Sequence, residues 1–257
     1  MILAIDIGNT HLEIGLYHQN HFLDSWRIST SVNRTEDELM AFIRQFLSMA
    51  NVDVSEIRDF AISSVVPNIT QIFRRMCQKY FKLQPLVVSH TLDLGIAIDY
   101  NPPNSVGADR VCNAVAAFSK YGGPCIVVDV GTATTFDVVS EGGVYLGGAI
   151  SPGLETAAFG LSSRTSKLPT ISFDFPKSAI GKATDHSMQS GIMFGTVALI
   201  DGLIELISGE LNKPPHVIAT GGQSNILAPR SKFIKHVEPR LVLEGLMMIY
   251  HRNVGGR

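Results

Sequence analysis

The sequence predicts an α/β protein made of two similar halves, because one short pattern occurs twice, about half the chain length apart. The letters DIGNT stand at 6–10, and DVGTAT stands at 129–134. Each copy follows an apolar run typical of a buried strand and precedes a second such run. We therefore expect a strand, a short turn and another strand at both places.

The first half is predicted to run βββαβαβ. Its first helix should open at Thr35, because Glu38 three residues later completes a capping box. Apolar residues then recur at helical spacing, as at Leu39 and Ile43. The other predicted elements are strands over 2–5, 12–17, 22–28, 59–63 and 86–88, a turn over 64–67 and a helix over 69–80.

A proline-rich break at 101–103 precedes the second half, which repeats the three-strand opening. Glu-Gly-Gly at 141–143 is predicted to be the hairpin turn between the last two of these strands. We place the two domains at 1–104 and 105–257. The predicted elements are a helix over 106–121, strands over 125–128, 134–139, 144–150 and 216–219, long helical segments before the last strand, and a final helix over 240–251.

The repeated turn has the residue types that bind a polyphosphate together with a metal ion. Glycine lets the backbone come close to a ligand, and backbone N–H groups and threonine hydroxyls donate hydrogen bonds to phosphate oxygens. An aspartate approaches a phosphate only through a divalent cation, directly or through water. A single Asp-x-Gly is usually an ordinary strand-ending turn, but two copies favour a nucleotide with a metal ion.

The composition fits a compact enzyme and argues against several classes of partner. The 257 residues are 45% hydrophobic and 17% charged, and this apolar excess suggests extra buried surface such as a subunit interface. A net charge of −2 provides no basic field for nucleic acid or for an acidic membrane. The longest apolar stretch, 192–200, is expected to be far too short for a membrane span.

The sequence also indicates a cytoplasmic protein. Its cysteines, Cys77, Cys112 and Cys125, have no metal-ligand spacing and form no even-numbered disulfide framework. Cys112 lies in an apolar helical pattern and is expected in the core. The chain begins directly with a strand and shows no basic region followed by a cleavable apolar segment, so we expect no export signal.

The twice-occurring strand-strand-strand-helix-strand-helix unit, with an Asp-Gly-Thr turn in each copy, resembles the acetate and sugar kinase, Hsp70 and actin superfamily. That resemblance implies two similar ribonuclease H-like domains (a duplicated βββαβαβα unit, the actin-like fold) with the nucleotide cleft between them. Gly221 and Gly222 follow the strand predicted over 216–219 and match the glycine pair over which the adenosine lies. Alone, this pair would be read as an ordinary strand-to-helix turn.

The segment Gly107-Ala108-Asp109-Arg110 stands at the start of the helix predicted over 106–121. Asp109 could accept the proton of a substrate hydroxyl as it attacks the γ-phosphate, and Arg110 could hold a substrate carboxylate or phosphate. Asp109 could equally cap the helix, and Arg110 could be a surface charge. Residue type and position alone leave both interpretations open.

A series of motifs in order along the chain resembles the type III pantothenate kinase family. The resemblance implies ATP-dependent phosphorylation of pantothenate to 4'-phosphopantothenate, the first step of coenzyme A biosynthesis. The motifs are Asp6-x-Gly8-Asn9-Thr10, Ser63-Ser64-Val65-Val66-Pro67, Gly107-Ala108-Asp109-Arg110, Asp129-x-Gly131-Thr132, Gly147-Gly148-Ala149-Ile150-x-Pro152-Gly153, Thr165-x-Lys167-Leu168-Pro169 and Thr220-Gly221-Gly222.

The resemblance also implies roles for individual residues. Asp109 matches the general base, and Asp129 matches the ligand of a monovalent cation, K⁺ or NH₄⁺. Asp6 is expected to bind Mg²⁺ through water, with ATP as co-substrate. Thr184 matches a substrate contact from the other subunit, because the family's active site forms at a homodimer interface. The substrate-binding positions are Tyr100, Gly107, Ala108, Asp109, Arg110 and Thr184, and the ATP-binding positions are Asp6, Ile7, Gly8, Asn9, Thr10, His11, Leu12, Glu13, Thr132, Gly221 and Gly222.

Two other functions remain open at this point. One is a kinase of the same superfamily that acts on another alcohol, such as a sugar. The other is a nucleotide-dependent regulator without enzymatic activity, since proteins similar to this family are described as transcription accessory factors. The presence of Asp6, Asp109 and Asp129 argues against a regulator, and the near-neutral charge argues against direct DNA binding.

Overall fold

A computed structural model describes residues 1–163 and 168–254 of the chain. The residues form two compact units. The first unit contains residues 1–116 together with the segment that begins at Leu241, and the second contains residues 117–240.

The first unit follows the predicted order of strands and helices. Its main elements are β1 (Ile2–Ile7), β2 (His11–His18), β3 (His21–Ser29), α1 (Glu36–Met49), β4 (Asp59–Ser64), α2 (Pro67–Met76), β5 (Leu86–Val87), β6 (Ala97–Ile98) and α3 (Ala108–Tyr121), in which the boundary between the units falls. Short helical segments occupy Val54–Glu56, Cys77–Phe81 and Pro103–Ser105. The predicted capping box is confirmed, because the Glu38 N–H donates to Thr35 Oγ1 and the Thr35 N–H donates to Glu38 Oε2.

The sheet of the first unit has the strand order β3-β2-β1-β4-β5. β1 is antiparallel to β2 and parallel to β4. Its odd-numbered residues, such as Leu3 and Ile5, pack in the cluster that contains Leu39 and Ile43 of α1. Ala4 points to the opposite face, where it packs in a second cluster with Cys112 of α3. The sheet is therefore covered on both faces.

The second unit repeats this sheet. Its elements are β7 (Cys125–Val130), β8 (Ala133–Val139), β9 (Val144–Pro152), α4 (Leu154–Ser163), α5 (Thr184–Gly209), β10 (His216–Thr220), α6 (Ser224–Leu227), a short helix over Ala228–Arg230 and β11 (His236–Val237). Its strands are ordered β11-β10-β7-β8-β9. β7 is antiparallel to β8 and parallel to β10. It is therefore paired in the same way as β1, with the next strand antiparallel on one side and a later strand parallel on the other. The predicted duplication is confirmed.

The predicted division into 1–104 and 105–257 differs from this grouping. The last helix, α7 (Leu241–Val254), belongs to the first unit. Its Leu246 and Ile249 are fully buried in the same cluster as Ala4 and Cys112. Apolar burial against the first sheet decides the grouping, and the position of α7 in the sequence gives no sign of it.

Two further features concern Trp26 and the longest helix. Trp26 stacks on Phe46 with ring centroids 5.2 Å apart, so it packs within the fold. α5 is longer than the apolar stretch 192–200. By length and composition alone it is apolar enough to cross a membrane, because an 18-residue window of it has a mean hydropathy of 1.7, and 33% of that window is buried. A single helix of this kind is weak evidence, because a core helix passes the same test, and Met193 and Ile200 are fully buried in the second unit.

Candidate active site

The first predicted phosphate turn connects β1 and β2. The Gly8 N–H donates to the carbonyl of His11 at 3.0 Å. Thr30 then supports the turn twice, since its hydroxyl donates to the Gly8 carbonyl at 2.7 Å and its N–H donates to the Thr10 carbonyl at 2.9 Å. Asn9 and Thr10 are exposed at the tip. The turn is therefore held from its inner side and presents its tip outward.

Asp6 lies immediately before this turn, in a row of polar residues that crosses the sheet. Residues directly opposite each other on neighbouring strands share a face of the sheet. Asp6 is opposite Glu13 on β2 and opposite Ser63 on β4, and Glu13 is opposite Arg27 on β3. The Ser63 hydroxyl donates to Asp6 Oδ1 at 2.8 Å. Two neighbouring carboxylates with oxygen ligands suit a hard divalent cation such as Mg²⁺.

His11 lies in the first turn and contacts a cation. Its Nδ1 is 2.8 Å from Arg27 Nη2, so the imidazole and guanidinium form a hydrogen bond on the exposed side of β2 and β3. This contact places a positive charge beside the segment predicted to bind ATP phosphates.

Asp109 lies in the first turn of α3, and its carboxylate folds back over the preceding glycine. Asp109 Oδ1 accepts the Arg110 N–H at 2.8 Å. A Cβ on Gly107 would lie 2.4 Å from the same oxygen, so a side chain at 107 would displace this carboxylate. Burial raises the pKa of Asp109, against the opposing effects of the Arg110 N–H and guanidinium. A half-buried carboxylate of raised pKa is a better proton acceptor than an exposed one.

A cavity of about 440 Å³ adjoins the Asp109 segment within the first unit. It is lined by both Gly107 and Ala108, together with polar residues that include Ser64, His90 and Asn104. The predicted substrate contact Tyr100 is 37% exposed and precedes the cis Asn101-Pro102 bond in the segment between β6 and α3. The cavity is large enough for part of a small polar substrate.

The second predicted phosphate turn connects β7 and β8. The Gly131 N–H donates to the Ala133 carbonyl at 3.0 Å. The Thr132 carbonyl accepts two bonds, from the Gly153 N–H at 3.1 Å and from the Thr156 hydroxyl at 2.6 Å. The start of α4 therefore fixes this turn, and the exposed Thr132 lies at its tip.

The two turns are similar but differ by one residue. In the first, Ile7 faces Leu12, which leaves 8–11 in the turn, whereas in the second Val130 faces Thr134, which leaves 131–133. Asp129 is opposite Thr135, whereas Asp6 is opposite Glu13. Asp6 therefore has a carboxylate directly opposite it, and Asp129 has a hydroxyl directly opposite it.

The predicted adenosine glycine Gly221 lies against Asp129 within the second unit. Thr220 is opposite Asp129 in the pairing of β10 with β7. Gly221 follows with φ of +88°, and a Cβ at this position would lie 2.4 Å from Asp129 Oδ1. Both the backbone conformation and the close approach require glycine. The next residue, Gly222, leads into α6, whose start is tied to β7 because the Gln223 N–H donates to the Val130 carbonyl.

Thr184 is the first residue of α5 and is exposed. The segment before it is folded closely against the helix, because the Ser187 hydroxyl donates to the Ala183 carbonyl at 2.9 Å and a Cβ on Gly181 would lie 2.5 Å from the Ser187 nitrogen. Thr184 therefore sits on a well-supported helix start that faces outward.

Sequence reasoning assigned no role to two residues that the structure places at the site. Ser63 is fully buried and bonds Asp6, and Asp137 is fully buried and accepts hydrogen bonds from the Tyr145 and Thr135 hydroxyls at 2.7 and 3.2 Å. The signal for both was a polar residue inside an apolar strand run. Among the described residues no group of three or more histidine, cysteine, aspartate or glutamate side chains could hold a metal ion. Thr165 and Lys167 of the predicted motif at 165–169 lie outside the described residues.

Comparisons with known proteins agree with these features. A family model described as type III pantothenate kinase matches residues 2–206. Proteins named type III pantothenate kinase are 43% identical in Citrifermentans bemidjiense and 44% identical in Geobacter sulfurreducens, over 98% of this chain and 100% and 99% of theirs. A third protein of that name, from Bacillus cytotoxicus, is 42% identical over 98% of this chain and 97% of its own.

Solved structures are similar in fold. The ROK hexokinase of Thermus thermophilus matches with a TM-score of 0.50 and 13% identity over 96% of this chain and 97% of its own. A protein from Campylobacter jejuni described as a candidate Baf family transcriptional activator matches with a TM-score of 0.60 and 19% identity over 96% of each chain. At such low identity these likenesses concern the fold alone, and they confirm the predicted actin-like α/β fold.

Proposed function

Because the chain belongs to the type III pantothenate kinase family, we propose that Asp109 is the general base of its reaction. The enzyme transfers a phosphoryl group from ATP to pantothenate, a step in coenzyme A biosynthesis. The observation that carries the proposal is the Asp109 carboxylate, which is half-buried, of raised pKa and held at the start of α3 beside a cavity.

In this proposal Asp109 accepts the proton of the pantothenate hydroxyl. The hydroxyl oxygen forms a bond to the γ-phosphorus as the bond between that phosphorus and the β,γ-bridging oxygen breaks, and ADP leaves. Such transfers have a loose transition state with charge spread over the phosphoryl oxygens, so positioning and electrostatics supply most of the catalysis. A general base typically adds a factor of about 10² to 10⁴.

The two turns hold the ATP phosphates. The segment from Asp6 to Glu13 and the residue Thr132 offer backbone N–H groups and hydroxyls to phosphate oxygens, and Gly221 with Gly222 lies under the adenosine. The support for this assignment is that both tips are exposed while hydrogen bonds fix the turns from behind. Preorganised donors of this kind lose little entropy on binding.

Mg²⁺ and a monovalent cation have different places in the proposal. The neighbouring carboxylates of Asp6 and Glu13 fit Mg²⁺, which Asp6 would hold through water. When bound, this ion would neutralise phosphate charge. Asp129 is directly opposite the Thr135 hydroxyl instead of a carboxylate, and it is assigned K⁺ or NH₄⁺. The group directly opposite each aspartate is what separates the two assignments.

Pantothenate binds beside Asp109. Tyr100 and the segment Gly107 to Arg110 form its contacts, and the Arg110 guanidinium is suited to the carboxylate of this substrate. The cavity lined by Gly107 and Ala108 supports the placement, because it lies along the same segment as the base.

The enzyme acts as a homodimer in which Thr184 of one subunit contacts the pantothenate bound to the other. The second unit exposes large apolar side chains on β9, on α4, in the segment before α5 and on α5 itself. They include Ile150 at 64%, Phe159 at 71%, Ile180 at 79% and Leu206 at 68% exposure. Large exposed apolar side chains on several elements suit a subunit interface.

The compartment is the cytoplasm, which the buried free thiols of Cys77, Cys112 and Cys125 suit.

The test is pantothenate-dependent ADP release by the purified protein with magnesium ATP, in potassium and in sodium buffer. Release that requires both pantothenate and potassium supports the proposal, and a panel of sugars and other alcohols serves as the control for substrate identity. If a sugar replaced pantothenate, the chain would be a different kinase of this fold. If nucleotide bound but no alcohol promoted ADP release, the non-enzymatic regulator would be favoured.

A further inference from the structure

Ser63 is the residue through which β4 contacts the Asp6 carboxylate. The two residues are directly opposite in the parallel pairing of β1 and β4, although they are 57 positions apart in the sequence. Ser63 is 0% exposed, and its hydroxyl donates to Asp6 Oδ1 at 2.8 Å. A buried hydroxyl costs free energy unless it is hydrogen-bonded, so this bond is what makes a serine tolerable at the end of the apolar strand β4.

A second buried group meets Ser63 from the other side. Cys112 of α3 is 0% exposed, and its thiol lies beside the Ser63 side chain. Burial raises the pKa of the Cys112 thiol, and the nearby Asp6 and Asp109 carboxylates raise it further, so the thiol keeps its proton at neutral pH. The Ser63 side chain therefore lies between the buried Cys112 thiol and the Asp6 carboxylate, to which its hydroxyl donates.

This chain of groups links the turn strand to the helix that carries Asp109. Cys112 follows Asp109 by three residues and so lies on the same side of α3. α3 is held in turn by α7, because a Cβ on Gly245 would lie 1.9 Å from the Cys112 carbonyl oxygen. Packing on both sides therefore fixes the position of Ser63. The hydrogen bond from its hydroxyl in turn fixes the orientation of the Asp6 carboxylate.

We propose that Ser63 is a positioning residue that holds the Asp6 carboxylate in the orientation required to bind the Mg²⁺ of the nucleotide. The proposal rests on the Mg²⁺ assignment made above for Asp6. Groups that orient a metal-binding side chain without touching the metal commonly change metal affinity by about 10- to 100-fold when removed. Ser63 acts through Asp6 and is not expected to contact ATP or pantothenate.

The test compares Ser63→Ala, which removes the hydroxyl, with Ser63→Thr, which keeps it. Thr70→Val is the matched control, because Thr70 is also buried in the first unit and its hydroxyl bonds Ser64 and Val66 instead of Asp6. The first readout is ADP binding measured by calorimetry over a series of Mg²⁺ concentrations. It needs no turnover. The second readout is KM for pantothenate.

We expect Ser63→Ala to need about tenfold more Mg²⁺ for half-maximal strengthening of ADP binding, with KM for pantothenate within about twofold of wild type. Ser63→Thr should restore most of the Mg²⁺ dependence, and Thr70→Val should leave it unchanged.

A Mg²⁺ dependence in Ser63→Ala equal to wild type would overturn the proposal. If Ser63→Ala did not fold, a folded Ser63→Thr with weakened Mg²⁺ dependence would also overturn it, since that variant keeps the hydroxyl. Absence of pantothenate phosphorylation by wild type would instead contradict the proposed function, and the ADP titration would still test Ser63.

Discussion

Gly221 and Asp129 lie so close that a single added carbon on the glycine would collide with the carboxylate: the Cβ position is 2.4 Å from Asp129 Oδ1. Gly221 also has φ of +88°, which side chains disfavour. Residues predicted for the adenosine and for a monovalent cation are therefore neighbours.

We predict that Gly221→Ala lowers the free energy of unfolding by about 1 to 3 kcal/mol and weakens ATP binding. The alanine must adopt a left-handed conformation and displace the Asp129 carboxylate. Urea unfolding and calorimetric titration with ATP measure the two effects. Gly142→Ala is the control, because a Cβ there has no neighbour within 4 Å. Equal stability and equal ATP affinity in the two variants would contradict the prediction.

Asp129 and Asp6 should serve different cations. We predict that Asp129→Asn raises the K⁺ concentration for half-maximal activity by about tenfold or more, while the Mg²⁺ requirement changes little. Asp6→Asn should raise the Mg²⁺ concentration for half-maximal activity while the K⁺ requirement changes little, because Glu13 gives the Asp6 site a second carboxylate. The measurement is ADP release titrated with KCl at saturating Mg²⁺ and with MgCl₂ at saturating K⁺. The assignment fails if both variants alter both requirements equally.

Because burial raises the pKa of Asp109, the ionised carboxylate lowers the free energy of unfolding of the protein. The folded chain keeps this proton to a higher pH than the unfolded chain does, so the free energy of unfolding falls as pH rises through the raised pKa. We predict that Asp109→Asn is more stable than wild type at neutral pH, and that the difference shrinks as pH falls toward the ordinary pKa of the carboxyl. Urea unfolding from about pH 3.5 to pH 8 tests this, because the difference begins to change near the ordinary aspartate pKa of ~3.9. A difference that does not vary with pH would contradict it.

Thr184 allows the subunit assignment to be tested by complementation. Asp109→Asn and Thr184→Val should each have low activity, whereas a heterodimer of the two contains one site with both wild-type residues. We predict that heterodimers isolated by two different affinity tags recover about half of the wild-type rate. Recovery no greater than that of either parent variant would place Thr184 in its own subunit's site or outside the site altogether.

The strands and helices could be predicted because each depends on local patterns. The capping box at Thr35 and the apolar runs of β1 and β7 determine their elements with little help from distant residues. The boundaries were less accurate. β1 extends to Ile7 instead of ending at residue 5, because Asp6 and Ile7 pair with β4, and α2 begins at Pro67, where proline is favoured in the first turn of a helix.

The contacts within the site could not be predicted in the same way. The Ser63 bond to Asp6 depends on the register of two strands 57 residues apart, and the membership of α7 in the first unit depends on which apolar face it covers. The one-residue difference between the turns follows from strand pairing, which two similar motifs do not reveal. The role of Asp109 could not be predicted from its position either. Burial of the carboxylate distinguishes a general base from a helix cap, and that burial is a property of the fold.

The most direct test of the account is the turnover of Asp109→Asn with saturating magnesium ATP, pantothenate and potassium, measured beside its affinity for ATP. Asparagine keeps the size of the side chain and an oxygen for the Arg110 N–H, but it cannot accept the substrate proton. We predict a fall in kcat of about 10² to 10⁴-fold with ATP affinity within about twofold of wild type. A kcat close to wild type would show that Asp109 is not the base.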